Sequence, residues 1–189
     1  MMIKNITVYC AASNRIDSLY CKDTEVLGKM LGQHHMHIIN GGGNVGLMRV
    51  ITDAVLSAGG QVTGVIPGFM VDKGLCHEKL TTVIQTQTMH ERKKIMAEMS
   101  DAVIALPGGY GTMEELLEII TWRQLGIYQK SVIILNTNSF YDPLLEMFSH
   151  IVDEKFVRDE HAQLWHAAQT PEEVVELIAL LPPQGVKND

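Results

Sequence analysis

Short runs of β-branched and aliphatic residues alternate along the chain with longer stretches whose apolar positions recur every three or four residues. "KNITVYC" reads as a strand that enters a loop at residues 11–14. In "DTEVLGKMLGQH", Val26, Leu27, Met30 and Leu31 fall at helical spacing. "MHIIN" predicts the next strand, which runs straight into "GGGNVGLM" and a helix through "RVITDAVLSAG". "QVTGVIP" is a third strand, stopped by Pro67, and residues 68–80 read as loop before a short strand in "TTVIQT". "TMHERKKIMAEMS" predicts a helix with Thr88 and Glu91 at capping-box spacing. "DAVIALP" and "KSVIILN" are continuous apolar runs, suited to the buried centre of a parallel sheet, with a helix through "TMEELLEIITWRQLG" between them. Two further helices follow, "YDPLLEMFSHIVDEKF" and "TPEEVVELIALL", the second with Pro171 at its first position and Thr170/Glu173 as its capping box.

This β-α-β order predicts an α/β fold: a doubly wound, mainly parallel sheet flanked by helices, with ligands collected at the carboxyl ends of the strands. A length of 189 residues favours one domain with a single core, a nucleotide-binding domain over 1–189. With 46% apolar and 20% charged residues the composition is that of an ordinary globular protein. The start "MMIKNITVYC" lacks a long apolar leader and no run reaches membrane-spanning length, so a soluble, cytoplasmic protein without a membrane partner is expected. Cys10, Cys21 and Cys76 are too scattered for a disulfide framework or a zinc site and are expected as reduced thiols. A net charge of −7 argues against a broad nucleic-acid-binding face, while a local cluster of cations around a small anion stays open.

Two glycine-rich loops fall where such a sheet gathers its ligands. Gly41, Gly43 and Gly46 match G-x-G-x-x-G, but the strand that follows ends without the acid that binds a dinucleotide ribose, and no Gly-Lys-Ser/Thr makes a P-loop. Tight packing of strand against helix explains these glycines as well. The second loop, "ALPGGYGTMEEL", is more specific. Pro107 stops the strand, Gly108, Gly109 and Gly111 permit positive φ and close backbone approach, and Thr112 can cap a helix whose free N–H groups make an anion site. Thr112 and Glu115 also have capping-box spacing, in which the acid is merely occupied with backbone N–H groups, and Glu114 suits a first turn.

Arg92 and Lys93 lie early in a helix, where cations oppose the dipole by some tenths of a kcal/mol, and are better explained by a nearby anion. Lys94 reads as solvated. His34, His35 and His37 lack a spaced carboxylate or cysteine and read as surface and core histidines, as does the lone His90.

The stretch "MHERKKIMAEMSDAVIALPGGYGTMEELLEIITWRQLGIYQK", with the upstream "GGGNVGLM" and "GGQVTGVIP", closely resembles the LOG family of cytokinin riboside 5′-monophosphate phosphoribohydrolases, long labelled lysine decarboxylases. The likeness spans nearly the whole chain. It implies a Rossmann-like homodimer that hydrolyses the N-glycosidic bond of a nucleoside 5′-monophosphate, either an N6-prenylated AMP or AMP, to free base and ribose 5-phosphate, with no cofactor and no metal. Carried over by position, Arg92 and Glu115 fall on the catalytic pair. Lys93, Gly108, Gly109, Tyr110, Gly111, Thr112, Met113, Glu114 and Thr121 fall on the substrate site, as do Ser13, Gly42 and Gly43 of the earlier loops. The chain departs from the family at Ala11-Ala12, at Arg49 and at Gly74, where the family has Gly-Ser, Gly and an expected Glu; these positions bear on substrate preference.

Two other expectations compete. A non-catalytic carrier or sensor of a phosphorylated ligand, similar to molybdenum cofactor carrier proteins, needs the glycine loop but not the Arg/Glu pair. A decarboxylase needs a Schiff-base lysine and a pyridinium partner, and no residue marks either.

Overall fold

The computed structural model describes residues 3–181. Seven parallel strands form one sheet in the order β4-β3-β2-β1-β5-β6-β7: β1 (Asn5–Tyr9), β2 (His37–Asn40), β3 (Gln61–Pro67), β4 (Thr82–Thr86), β5 (Ala102–Ala105), β6 (Ser131–Leu135) and β7 (His166–Ala168). The helices are α1 (Ser18–Gln33), α2 (Gly46–Ser57), α3 (Gly68–Asp72), α4 (Met89–Met99), α5 (Tyr110–Gln124), α6 (Asp142–Asp153) and α7 (Pro171–Leu180). The expected doubly wound α/β architecture is therefore observed. The direction of winding reverses between β1 and β5, and that switch point opens a crevice at the strands' carboxyl ends.

The apolar runs became the central strands because both faces of the sheet are covered. Every residue of β5 and β6 is buried. Alternate residues of each strand feed two cores. Val8, Ile6, Ile104 and Ile133 pack with Leu27, Leu31, Ile51 and Val55 of α1 and α2. Val103, Ala105, Val132 and Ile134 pack with Met96 of α4 and Leu116 and Ile119 of α5. Each valine, leucine, isoleucine or methionine among them contributes about 1.5–3 kcal/mol on burial. Together they hold α4 and α5 side by side on one face of the sheet.

The capping boxes on α4 and α7 form as their spacing predicts. Thr88 Oγ1 accepts from Glu91 N, and Thr170 Oγ1 accepts from Glu173 N. His37 is half-buried, with its ring nitrogens 3.2 Å from Asn5 Oδ1 and 2.8 Å from Thr63 Oγ1, whereas His34, His35 and His90 are exposed. Two elements depart from expectation. Residues 68–72 form α3 within the predicted loop, and His166–Ala168 add the edge strand β7, which is too short to carry a period of its own. No helix among the described residues is long and apolar enough to cross a membrane.

Candidate active site

Loops after β1, β2 and β5 are stitched together at the switch point. Ala11 N donates to Pro107 O at 3.2 Å, and Ala11 O accepts from Met48 N at 3.3 Å. Gly46 N donates to Asn14 Oδ1 at 2.8 Å. The segment beyond α3 folds back over the second loop, with Gly43 bridged to Cys76 and Leu75 O accepting from Asn44 N at 3.1 Å. These loops enclose a cavity of about 520 Å³. Met48, Met70, Leu75 and Met89 line an apolar part of it, while Ser13, Arg92, Thr112 and Glu115 supply polar groups.

Arg92 comes from the first turns of α4 and Glu115 from α5. Arg92 Nη1 lies 3.0 Å from Glu115 Oε1, and the two residues are only 7% and 8% exposed. Arg92 Nε donates to Val65 O at 3.0 Å, which fixes the plane of the guanidinium against the end of β3. Nη2 has no hydrogen-bond partner among the described residues. Burial pushes the Glu115 carboxyl above the ordinary carboxylate range; Arg92 opposes that rise, Glu114 adds to it and Lys93 opposes it. A buried carboxylate whose pKa is perturbed by desolvation and by a specific charge partner, in a cavity, marks a candidate functional site. Cys10 also lines the cavity, but burial pushes its thiol far up and leaves it without thiolate character.

The start of α5 differs from its predicted form. Thr112 does not cap it. The helix begins at Tyr110, with Gly109 as N-cap in extended conformation (φ −90°) and no side-chain cap. Consequently Glu115 is not the acid of a capping box, Glu114 lies beyond the first turn, and the N–H groups of Tyr110, Gly111 and Thr112 have no partner within the helix. Nor do Gly108, Gly109 and Gly111 adopt positive φ. Gly108 is required by packing, because a Cβ there would lie 2.1 Å from Thr112 Oγ1 and 2.5 Å from its Cβ. At Gly109 and Gly111 a Cβ would meet nothing within 4 Å, and both residues line the cavity.

The dinucleotide-like fingerprint is also satisfied from within the protein. A Cβ on Gly41 would lie 1.9 Å from Arg92 Nη2, and one on Gly43 would lie 3.0 Å from Met48 Sδ. Gly46 has φ +63°, and a Cβ there would lie 2.4 Å from the Ser13 backbone nitrogen. Close approach of the protein's own groups, rather than a pyrophosphate, accounts for all three.

The structure thus brings Arg92, Glu115, Thr112, Gly109, Gly111, Gly43 and Ser13 to one cavity. Gly42, with φ +69°, turns the chain beside it. Lys93 goes elsewhere: only 6% exposed, it pairs with Glu114 and, at 3.0 Å, with Glu118, tying α4 to α5. The Tyr110 side chain is 96% exposed, Met113 packs against the core under α5, and Thr121 Oγ1 donates to Leu117 O on the exposed face of α5. Gly74 has φ +69° and offers its carbonyl to Asn44 Nδ2; Arg49 reaches Asp53. Met70, Leu75 and Met89 escaped sequence reasoning, since scattered apolar residues carry no motif, and Met48 of "GGGNVGLM" is not singled out there; only the folded loops assemble the four.

A family profile described as "Possible lysine decarboxylase" matches residues 48–178. Among curated proteins, the chain is 40% identical over 184 residues to the probable cytokinin riboside 5′-monophosphate phosphoribohydrolase LOGL2 of Oryza sativa subsp. japonica, covering 97% of this chain and 75% of that protein. It is 39% identical over 180 residues to the cytokinin riboside 5′-monophosphate phosphoribohydrolase LOG5 of Arabidopsis thaliana, covering 95% and 79%. In three dimensions it is similar to a molybdenum cofactor binding protein from Rippkaea orientalis, with TM-score 0.73, 24% identity and 95% and 97% coverage. At that identity the likeness is one of fold. Identity near 40% to phosphoribohydrolases over almost the whole of this chain, with the profile match over residues 48–178, places this chain in the LOG family.

Proposed function

We infer that this protein hydrolyses the N-glycosidic bond of a nucleoside 5′-monophosphate, releasing the free base and ribose 5-phosphate. The relatives are named for that activity. The observation that carries the residue assignment is the buried Arg92–Glu115 pair in a cavity bordered by the uncapped start of α5. The unpartnered first-turn N–H groups and the positive end of the helix bind the 5′-phosphate. Gly109 and Gly111 leave room for its oxygens. Anchoring the phosphate positions the anomeric carbon with binding energy remote from the bond that breaks.

The C1′–N bond breaks with its electron pair leaving on the base, and positive charge develops on the ribose. Glu115 stabilises that charge and takes a proton from the water that attacks C1′, the logic of glycoside hydrolysis. Arg92 orients Glu115 through Nη1 and offers Nη2 to the sugar or phosphate. The methionine-lined side suits an adenine carrying an apolar N6 substituent, which makes prenylated AMP the favoured substrate and AMP a second one.

Neither rival reading gains support. The decarboxylase description calls for a Schiff-base lysine, and no lysine lines the cavity among the described residues. Similarity to molybdenum cofactor proteins stays at the level of fold. We further propose that the enzyme is a cytoplasmic homodimer: Leu125 and Ile127, both exposed, adjoin Thr121 on a surface that a second copy would cover. The acidic net charge supports a role without nucleic acid. The test is a product assay across nucleoside monophosphates and their nucleosides. Release of base from the monophosphate at a kcat/KM at least about 100-fold above the nucleoside supports the phosphate anchor; equal rates overturn it.

A further inference from the structure

The loop after β2 contains a glycine whose identity the backbone does not demand. Gly41 lies outside the positive-φ region that its neighbour Gly42 occupies, so the main chain there accepts an ordinary residue. What forbids one is Arg92. A Cβ at position 41 would stand 1.9 Å from Nη2 and 3.0 Å from Cζ of that guanidinium, and 3.2 Å from Met48 Cε. All three are ends of flexible side chains. Gly46 is different, because there a Cβ would strike the backbone of Ala11 and Ser13.

We propose that Gly41 is a positioning residue, the vacant side-chain space over which Arg92 lies while it holds Glu115. Three features hold the guanidinium: Val65 O accepts from Nε, Glu115 lies against Nη1, and Nη2 sits in the space a Gly41 Cβ would take. Adding one methyl group leaves the fold room to adapt, by swinging Arg92 off this surface and away from Glu115. This inference rests on the functional reading above, in which that pair acts on the nucleotide.

The test uses the full chain and the variants G41A, R92K, R92A and their combinations. G41A is expected to keep the parent's circular-dichroism spectrum and a cooperative melt, at a lowered melting temperature because the buried pair is parted, while kcat for base release falls by on the order of 100-fold, the size of effect a misplaced group produces. Lysine lacks the second terminal nitrogen, so G41A placed in R92K costs no further activity; losses that multiply in the double variant overturn the proposal. Should G41A fail to fold, R92A must restore folding by emptying the space, and failure to restore it overturns the proposal. A crystal structure of G41A decides independently of activity: Arg92 parted from Glu115 supports the inference, and Arg92 unmoved sinks it. A parent protein that releases no base from any nucleoside monophosphate refutes the functional reading instead, and the crystallographic arm still judges Gly41.

Discussion

Arg92 and Glu115 meet across two helices, Nη1 to Oε1 at 3.0 Å, with both side chains almost wholly buried. The adjoining residues repeat the pairing on the outer side, where Lys93 bridges Glu114 and Glu118. One ion pair opens to the cavity and the other clasps α4 to α5. The cations that sit uncomfortably near a helix start in the sequence thus find their anions on the neighbouring helix.

Replacing Glu115 by Gln preserves the shape and an oxygen for Arg92 but removes the proton acceptor. E115Q is expected to fold as the parent does and to lose about 10²–10⁴-fold in kcat. Steady-state base release together with thermal melting checks this; near-parental kcat assigns the acid a purely structural part.

If Glu115 is the proton acceptor proposed above, the raised pKa of its carboxyl is expected to set the acid side of the activity profile. Burial lifts it and Glu114 adds to the lift, while Arg92 and Lys93 restrain it. Because the ionised form must act, kcat/KM falls as pH drops through a value above the ordinary Glu pKa of about 4.3. The sign for stability follows: a carboxyl whose folded pKa exceeds its unfolded one withdraws stability as pH rises between the two. The stability of the parent relative to E115Q therefore declines as pH rises through that window. An acid limb at or below pH 4.3, in kcat/KM against pH, contradicts the assignment.

Gly111 separates ligand space from folding need. Its Cβ position is open and it lies in the first turn of α5. G111A is expected to leave stability unchanged or raised by about 0.4–1 kcal/mol, since alanine restricts the unfolded chain. At the proposed phosphate site the same methyl is expected to crowd the ligand, so that KM for the monophosphate rises severalfold or more. Denaturant unfolding and kinetics on one preparation test both halves.

Lys93 is expected to act on stability and not on substrate affinity. K93M strands Glu118 and Glu114 without their cation; because Glu114 is largely solvated, the loss is about 1–3 kcal/mol, less than for a fully buried pair. KM should stay near the parental value. A large KM rise with unchanged stability would return Lys93 to the substrate site.

Much of the fold was legible because burial writes itself into period. "VIAL" and "SVIIL" had to be central strands, and Thr88/Glu91 and Thr170/Glu173 mark real helix starts, since capping is settled within four residues. Thr112 and Glu115 carry the same spacing and do not cap, for the same local signal is overridden when a threonine packs on Gly108 and an acid finds a buried arginine. Residues 68–72 and β7 were illegible because five residues and three residues are shorter than the periods that identify helices and strands.

The sequence by itself determined the doubly wound sheet, the two glycine loops at its carboxyl edge and the residue types that carry the chemistry, because each depends on short-range pattern. Only the tertiary structure decided which cation faces which acid, that the G-x-G-x-x-G loop is filled by Arg92 and Met48, and that four dispersed hydrophobic residues wall one cavity. Those outcomes depend on side chains far apart in the chain competing for the same space, and no local window contains both competitors.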